Sequence, residues 1–201
     1  MDKALFCYLY RIIMADKLLI SEEELLEELR DPARRRMAFE KVVRLYNRKL
    51  YWQIRRMVLS HDDTDDLLQN TFMKAWSALD GFRGEAKLST WLYRIAMYES
   101  LNFLKKKKIE DDMSISITDE NSYLLDNLTG DVYFDGDEAE IAFQKAILEL
   151  PDKQRLVFNL RYYDEMPYEK MAEITGTSEG ALKASYHHAV KKLERFLSPD
   201  D

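Results

Sequence analysis

Trp91, Arg94, Tyr98, Asn102 and Lys105 recur at intervals of three and four residues, which puts two rings, an amide and two cations on one face of a helix. Those side chains suit one kind of chemistry. Rings stack on unpaired bases, an amide reads a base edge and cations hold phosphates, as single-stranded nucleic acid requires. The preceding stretch, Asp80 to Ser89, carries two glycines, Arg83 and Lys87, and no long apolar run, so it predicts an exposed loop beside that face. Ser89 or Thr90 can cap the helix that follows, and Leu92, Ile95, Ala96 and Phe103 predict its buried side. Four lysines, Lys105 to Lys108, are expected to end it, where they suit both a helix C-terminus and a phosphate backbone. A plainer reading fits the same spacing: a half-buried helix with a solvated lysine tail.

The elements that would position this face are helical. The chain has 201 residues, 46% of them hydrophobic and 33% charged, with only six Gly and four Pro, which favours long helices over many-turned sheets. The single Cys7 excludes an internal disulfide and points to a reducing, cytoplasmic setting. Net charge is −7, but it is unevenly placed. Residues 1–108 carry 21 basic and 16 acidic side chains, residues 109–138 ten acids and no base, and residues 139–201 nine basic and eleven acidic. Acidity confined to one segment leaves room for basic faces elsewhere.

Residues 4–14 are apolar but interrupted by Arg11, too short to cross a bilayer, and Met14 is an alternative start to Met1. Residues 21–30 predict a short helix with Leu25, Leu26 and Leu29 inward. Residues 32–59 predict a longer one, with Pro32 in its first turn and Met37, Phe39, Val42, Val43, Leu45, Tyr46, Leu50, Ile54, Met57 and Val58 inward. HDDTDD, His61 to Asp66, predicts a helix start capped by Asp62 or Thr64, and lacks the Gly and Glu of a calcium loop. That helix would bury Leu67, Leu68, Phe72, Ala75 and Leu79 and expose Asp65, Asp66, Gln69, Asn70 and Lys74. Residues 109–138 read as an acidic linker. Beyond it come helices at Glu138–Leu150 and Asp152–Tyr163, a short one at Pro167–Ile174, a break at Gly176, and a last helix capped by Ser178. Short helix, glycine turn, longer helix is the helix-turn-helix arrangement. The last helix would bury Leu182, Tyr186, Ala189, Leu193 and Phe196 and present Lys183, Ser185, His187, His188, Lys191 and Lys192, its N-terminal half entering a major groove. Adjacent histidines face different ways, so no metal site is expected.

Four blocks then coincide with one family. They are Asp65-Asp-Leu-Leu-Gln-Asn-Thr-Phe72 continuing through Lys74 and Trp76, Phe82-Arg-Gly-Glu85 with Thr90-Trp-Leu-Tyr-Arg-Ile-Ala96, Leu150-Pro-Asp-Lys-Gln-Arg-Leu-Val-Phe158 with Tyr168-Glu-Lys-Met-Ala172, and Gly180-Ala-Leu-Lys183 with Ala189-Val-Lys-Lys-Leu193. In order and spacing the chain resembles the extracytoplasmic-function (ECF) sigma factors of bacterial RNA polymerase over about residues 37–197. KASYHHAVKKLE, in the last helix, is most similar to versions from the Bacteroides lineage. The departures are Asn70 where an acid is common, Tyr98 where Asn is frequent, and Ser185 and His188 where arginines are frequent.

The resemblance implies an all-α protein of two small helical domains: residues 1–31 an extension, 32–108 sigma region 2, 109–138 the linker, and 139–201 sigma region 4 with the helix-turn-helix. It implies that Asp65, Asp66, Gln69 and Asn70 bind core polymerase, through the β′ and β subunits as partners, with an anti-sigma factor as a further candidate. Arg83, Lys87, Trp91, Arg94, Tyr98, Asn102, Lys105 and Lys106 would melt and read the promoter −10 element. Lys183, Ser185, His187, His188, Lys191 and Lys192 would read the −35 element. No cofactor, metal, membrane insertion or catalysis is implied, and the chain has no G-x-x-x-x-G-K or H-E-x-x-H motif. The alternative is a helix-turn-helix regulator that binds duplex DNA without polymerase; it leaves the Trp91 helix unexplained. A helical adaptor without DNA contact is the third.

Overall fold

A computed structural model describes residues 21–113 and 138–198. Residues 1–16, with the question of Met1 or Met14, and most of the 109–138 segment lie outside the described residues. Every regular element described is a helix. In chain order they are α1 (Glu22–Arg30), α2 (Arg35–Val58), α3 (His61–Ala78), a 3-10 turn (Leu79–Gly81), α4 (Leu88–Met113), α5 (Glu138–Leu148), α6 (Asp152–Tyr162), α7 (Tyr168–Thr175) and α8 (Glu179–Leu197).

Local chemistry explains most of the boundaries. Ser21 begins α1 with a reciprocal capping box: its hydroxyl accepts from Glu24 N at 3.0 Å, and the Glu24 carboxylate accepts from Ser21 N at 3.2 Å. Pro32 lies in the turn before α2, which begins only at Arg35, rather than inside its first turn. The cap of α3 is Ser60, whose hydroxyl accepts from Asp63 N at 3.2 Å. Asp62 and Thr64 instead lie within the helix, and Thr64 is buried, donating to Ser60 O at 2.6 Å. Gly176 ends α7 at φ 68°, a left-handed conformation that suits glycine. Ser178 caps α8 by accepting from Ala181 N at 3.3 Å.

Two expectations about α4 are corrected. It starts at Leu88, so Ser89 and Thr90 sit inside it and neither caps it. It also runs on past the four lysines to Met113. Lys105–Lys108 are therefore mid-helix, and no terminal dipole accounts for them.

α2, α3 and α4 pack on one another with α1 laid across α2, and α8 gathers α5, α6 and α7. Leu67, Leu68, Phe72, Ala75 and Leu79 are buried as the spacing predicts, as are Leu25 and Leu29 of α1. Met37 and Phe196 are not: they are 69% and 49% exposed. Phe196 lies near the C-terminal end of α8, whereas Met37 stands beside the fully buried Ala38 and faces away from the packed side of α2. The two groups of helices touch. α4 packs on α7 and α2 on α6, and one apolar cluster joins Ile54, Met57, Leu92 and Ala96 to Leu156, Leu160, Met171 and Ile174. No helix among the described residues is long and apolar enough to cross a membrane.

Candidate nucleic-acid interface

The aromatic-basic face of α4 is real in the structure. Arg94, Tyr98, Asn102, Lys105 and Lys106 are exposed on it, with Tyr98 at 52%. Arg83 and Lys87 are exposed on the loop before it. Trp91 is half-buried, and Phe82 holds it in a near-parallel stack at 4.6 Å and 26°. The ring is thus fixed at the junction of loop and helix. Tyr93, between Trp91 and Arg94, belongs to the core. Its backbone carbonyl accepts from Gln53 Nε2 at 3.2 Å, and burial, assisted by the Asp164 charge, pushes its hydroxyl up to about 12.

The N-terminal part of this face is engaged by α7. Glu173 of α7 takes a hydrogen bond from Thr90 Oγ1 at 3.3 Å on its carboxylate, and one from Arg94 Nη2 on its backbone carbonyl. Lys170, also on α7, lies 5.8 Å from the Tyr93 ring. The Arg94 guanidinium, expected to face a nucleic-acid phosphate or base, is occupied by the chain itself.

Asp65, Asp66, Gln69 and Asn70 are exposed together on α3, Asp65 lying 3.5 Å from His61. Beside Gln69 is a groove of about 530 Å³ that the sequence reading did not anticipate, lined in part by Met73 and Trp76. Phe39 forms its floor with edge contacts to Trp76 at 5.1 Å and Phe72 at 6.4 Å, leaving Met73 61% and Trp76 43% exposed.

On α8, Lys183, His187, His188 and Lys191 are exposed, while Ser185 and Lys192 are half-buried. Lys183 is held between Glu179, at 3.2 Å, and the Tyr168 ring, at 5.5 Å. Tyr186 turns inward and stacks on Phe158 at 5.7 Å. That inward ring anchors α8 and leaves the two histidines outside, their rings 6.2 Å apart.

Polar contacts lock the two helix groups together. Arg56 Nη1 donates to Asp164 Oδ1 at 2.6 Å, and its guanidinium lies 4.6 Å from the Tyr163 ring. Asn159 Nδ2 donates to Arg56 O at 3.1 Å. Asp164 is pushed up chiefly by burial, against the hydrogen bond and charge of Arg56. Lys108, of the lysine run, reaches Asp152 at 3.5 Å. Sequence reasoning missed Arg56, Asp164 and Glu173 because each partner is distant along the chain; Phe82 was visible only as part of a motif.

Residues 42–109 match the family described as Sigma-70 region 2, and residues 140–193 match Sigma-70, region 4. The chain is 30% identical over 166 residues to the ECF RNA polymerase sigma factor SigW of Bacillus subtilis (strain 168), covering 80% of this chain and 89% of that protein. It is 28% identical over 192 residues to the ECF RNA polymerase sigma-E factor of Haemophilus influenzae, covering 92% and 99%. Among solved structures it is similar to the sigma factor RpoE of Bartonella quintana in complex with the anti-sigma factor NepR, with TM-score 0.60, 26% identity and coverage of 81% of this chain and 98% of that one. CnrH, in complex with the cytosolic domain of CnrY, shares the fold at TM-score 0.59, covering 83% and 91% at 22% identity. Paired region 2 and region 4 matches, in the order of the two helix groups, and a relative matched over nearly its whole length lead to one conclusion: the chain belongs to the ECF family of RNA polymerase sigma factors.

Proposed function

We propose that this protein binds core RNA polymerase, directs it to promoters by reading their −35 and −10 elements, and assists strand opening. It acts in the cytoplasm as an initiation factor and not as a catalyst. The observation that carries this reading is the α4 face: exposed cations, an amide and Tyr98 in line with a tryptophan fixed by Phe82. Duplex binding alone has no use for such a row, whereas captured single-stranded bases do. In this reading residues 32–108 form region 2 and residues 139–201 region 4, with residues 109–138 connecting them and residues 1–31 preceding them. Asp65, Asp66, Gln69 and Asn70 meet the polymerase β′ subunit. Arg83, Lys87, Trp91, Arg94, Tyr98, Asn102, Lys105 and Lys106 handle the −10 strand. Lys183, Ser185, His187, His188, Lys191 and Lys192 face the −35 duplex. The two solved relatives are bound to a partner, in one case a named anti-sigma factor, and we extend that partner class to this chain. We also read the KASYHHAVKKLE segment as a mark of the Bacteroides-type members.

The contact between the helix groups must open for this function. Elements named −35 and −10 are about 25 base pairs apart, or about 85 Å of duplex. A compact body of this length has a radius of gyration of only about 17 Å. The two reading faces therefore cannot engage one promoter while α7 sits on α4.

The deciding experiment is transcription in vitro with core polymerase on a genomic library. Specific transcripts dependent on this chain are expected; duplex binding with neither transcripts nor co-purification with core would leave the regulator reading. Two variants resolve the DNA-facing roles. Trp91→Ala is expected to leave core binding intact and to slow open-complex formation about tenfold, the value of one lost base stack. Permanganate reactivity of thymines reports this, and normal opening with a lowered melting temperature would make Trp91 a core residue only. Lys183→Ala is expected to weaken −35 binding by about 1–3 kcal/mol if the side chain leaves Glu179 for a base edge. Unchanged transcription across a promoter library would take Lys183 out of the recognition set.

A further inference from the structure

The loop expected to meet the melted strand, Phe82 to Lys87, has little structure of its own. Arg83, Gly84, Glu85 and Lys87 are exposed, and its local backbone bonds lie only at its two ends, from Phe82 N to Leu79 O at 3.1 Å and from Trp91 N to Lys87 O at 3.1 Å. It is nevertheless held at its start, middle and end by charged side chains from outside it. At the start, Arg35 Nη1 meets Asp80 Oδ1 at 2.7 Å, and Arg35 Nε donates to Leu29 O at 3.0 Å, tying the turn to the end of α1. In the middle, Arg30 Nη2 donates to Arg83 O at 3.4 Å. At the end, Leu88 N, the first amide of α4, donates to Glu22 Oε1 at 2.6 Å.

The last contact replaces a missing cap. Neither Ser89 nor Thr90 stands before α4, so a carboxylate 66 residues away fills the role a capping side chain plays elsewhere. It also places a negative charge at the positive end of the helix dipole. Trp91 lies one turn further in, so fraying of the first turn would release it from Phe82. Gly84 fits the same scheme. Its φ is 78°, and a Cβ there would stand 3.4 Å from Arg30 Nη2, so the loop passes close beside that guanidinium. α1 can bear this load because its capping box closes one end and Leu25 and Leu29 are buried in the main core.

We propose that α1, together with Arg35 at the start of α2, is a clamp for the melting loop, with Glu22, Arg30 and Arg35 as positioning residues for strand opening; this rests on the sigma-factor reading above. The clamp holds the loop and the Trp91–Phe82 stack ready while the duplex is still closed, so that a transiently unpaired base is captured before it re-pairs; on a template already open there is no re-pairing to outrun.

The test uses the full chain with core polymerase on a promoter selected by the wild-type protein, as intact duplex and with the −10 segment pre-opened by mismatches. Glu22→Ala is expected to slow opening of the duplex about five- to tenfold, the effect of one lost cap, and to spare the pre-opened template. Glu22→Gln is expected to restore opening, because its amide oxygen still accepts from Leu88 N. In the protein alone, trypsin is expected to cut after Arg83 and Lys87 faster in Glu22→Ala by a similar factor. Equal opening by wild type and Glu22→Ala, equal losses on both templates, or unchanged trypsin cleavage would each overturn the clamp. Should Glu22→Ala not fold, Arg30→Ala, at an exposed site, is put through the same three measurements with the same outcomes. A wild-type protein that opens no promoter with core would defeat the sigma-factor reading instead, and the trypsin comparison would still decide whether α1 holds the loop.

Discussion

Reversing Asp65 and Asp66 to arginine is expected to weaken binding to core polymerase about a hundredfold, close to 3 kcal/mol, while leaving the protein folded. Both residues are exposed on α3, and Asp65 makes only a 3.5 Å contact with a half-exposed His61. Their loss removes no buried partner. Asp62 and Asp63 remain to favour the N-terminal dipole of the helix, so the cost to the fold is a few tenths of a kcal/mol. The cost to the complex is larger because like charges would then meet whatever cationic surface the acids face. The face is continuous with the Phe39–Trp76 groove through Gln69, which gives the partner apolar area beside the charged contact. Titration of labelled protein with core polymerase and a melting curve check both halves. A folded double variant with wild-type affinity would move the polymerase contact off this face.

How far the sequence could be read follows the range of the interactions. Leu67, Leu68, Phe72, Ala75 and Leu79 were legible because a helix buries one stripe and the spacing of apolar residues marks it. The glycine turn and the Ser178 cap were legible because both act within four residues. Phe196 defeated the same rule, because periodicity says which side a residue is on and not whether a neighbour reaches that far along the helix; Met37, one position from the buried Ala38, was assigned to the wrong side. Lys105–Lys108 looked like an end because lysines are favourable there, yet the helix continues, and Lys108 serves a contact to Asp152 instead. The exposed members of the interface were legible as residue types. What holds them was not, since Glu22 on Leu88, Arg30 on Arg83 and Glu173 on Arg94 join positions 53 to 79 residues apart.

Arg56→Ala is expected to open the contact between the helix groups at neutral pH. The side chain is the partner of Asp164, whose other oxygen, Oδ2, is buried without a hydrogen bond among the described residues. Removing the guanidinium strands a carboxylate in a site that already disfavours its charge, a loss of about 2 kcal/mol, or roughly thirtyfold in the closed population. Removing both charges should cost less than removing one, so Asp164→Asn in the Arg56→Ala background is expected to restore closure in part. The sign with pH follows from Asp164. Burial raises its pKa in the closed form above that of an open, solvated carboxylate, so the closed form binds the proton more tightly. The contribution to closure is therefore fully present below the ordinary carboxylate pKa and is lost as pH rises through the raised one. Arg56→Ala should enlarge this dependence, and Asp164→Asn should abolish it. Distance measurements between labels on α3 and α8 across that range report the closed fraction, and binding of single-stranded −10 sequence by the free protein should rise with the open one as α7 releases Arg94. Labels that stay at one separation in Arg56→Ala at every pH would show that the apolar cluster of Met57, Leu160 and Met171 holds the groups together without the ion pair.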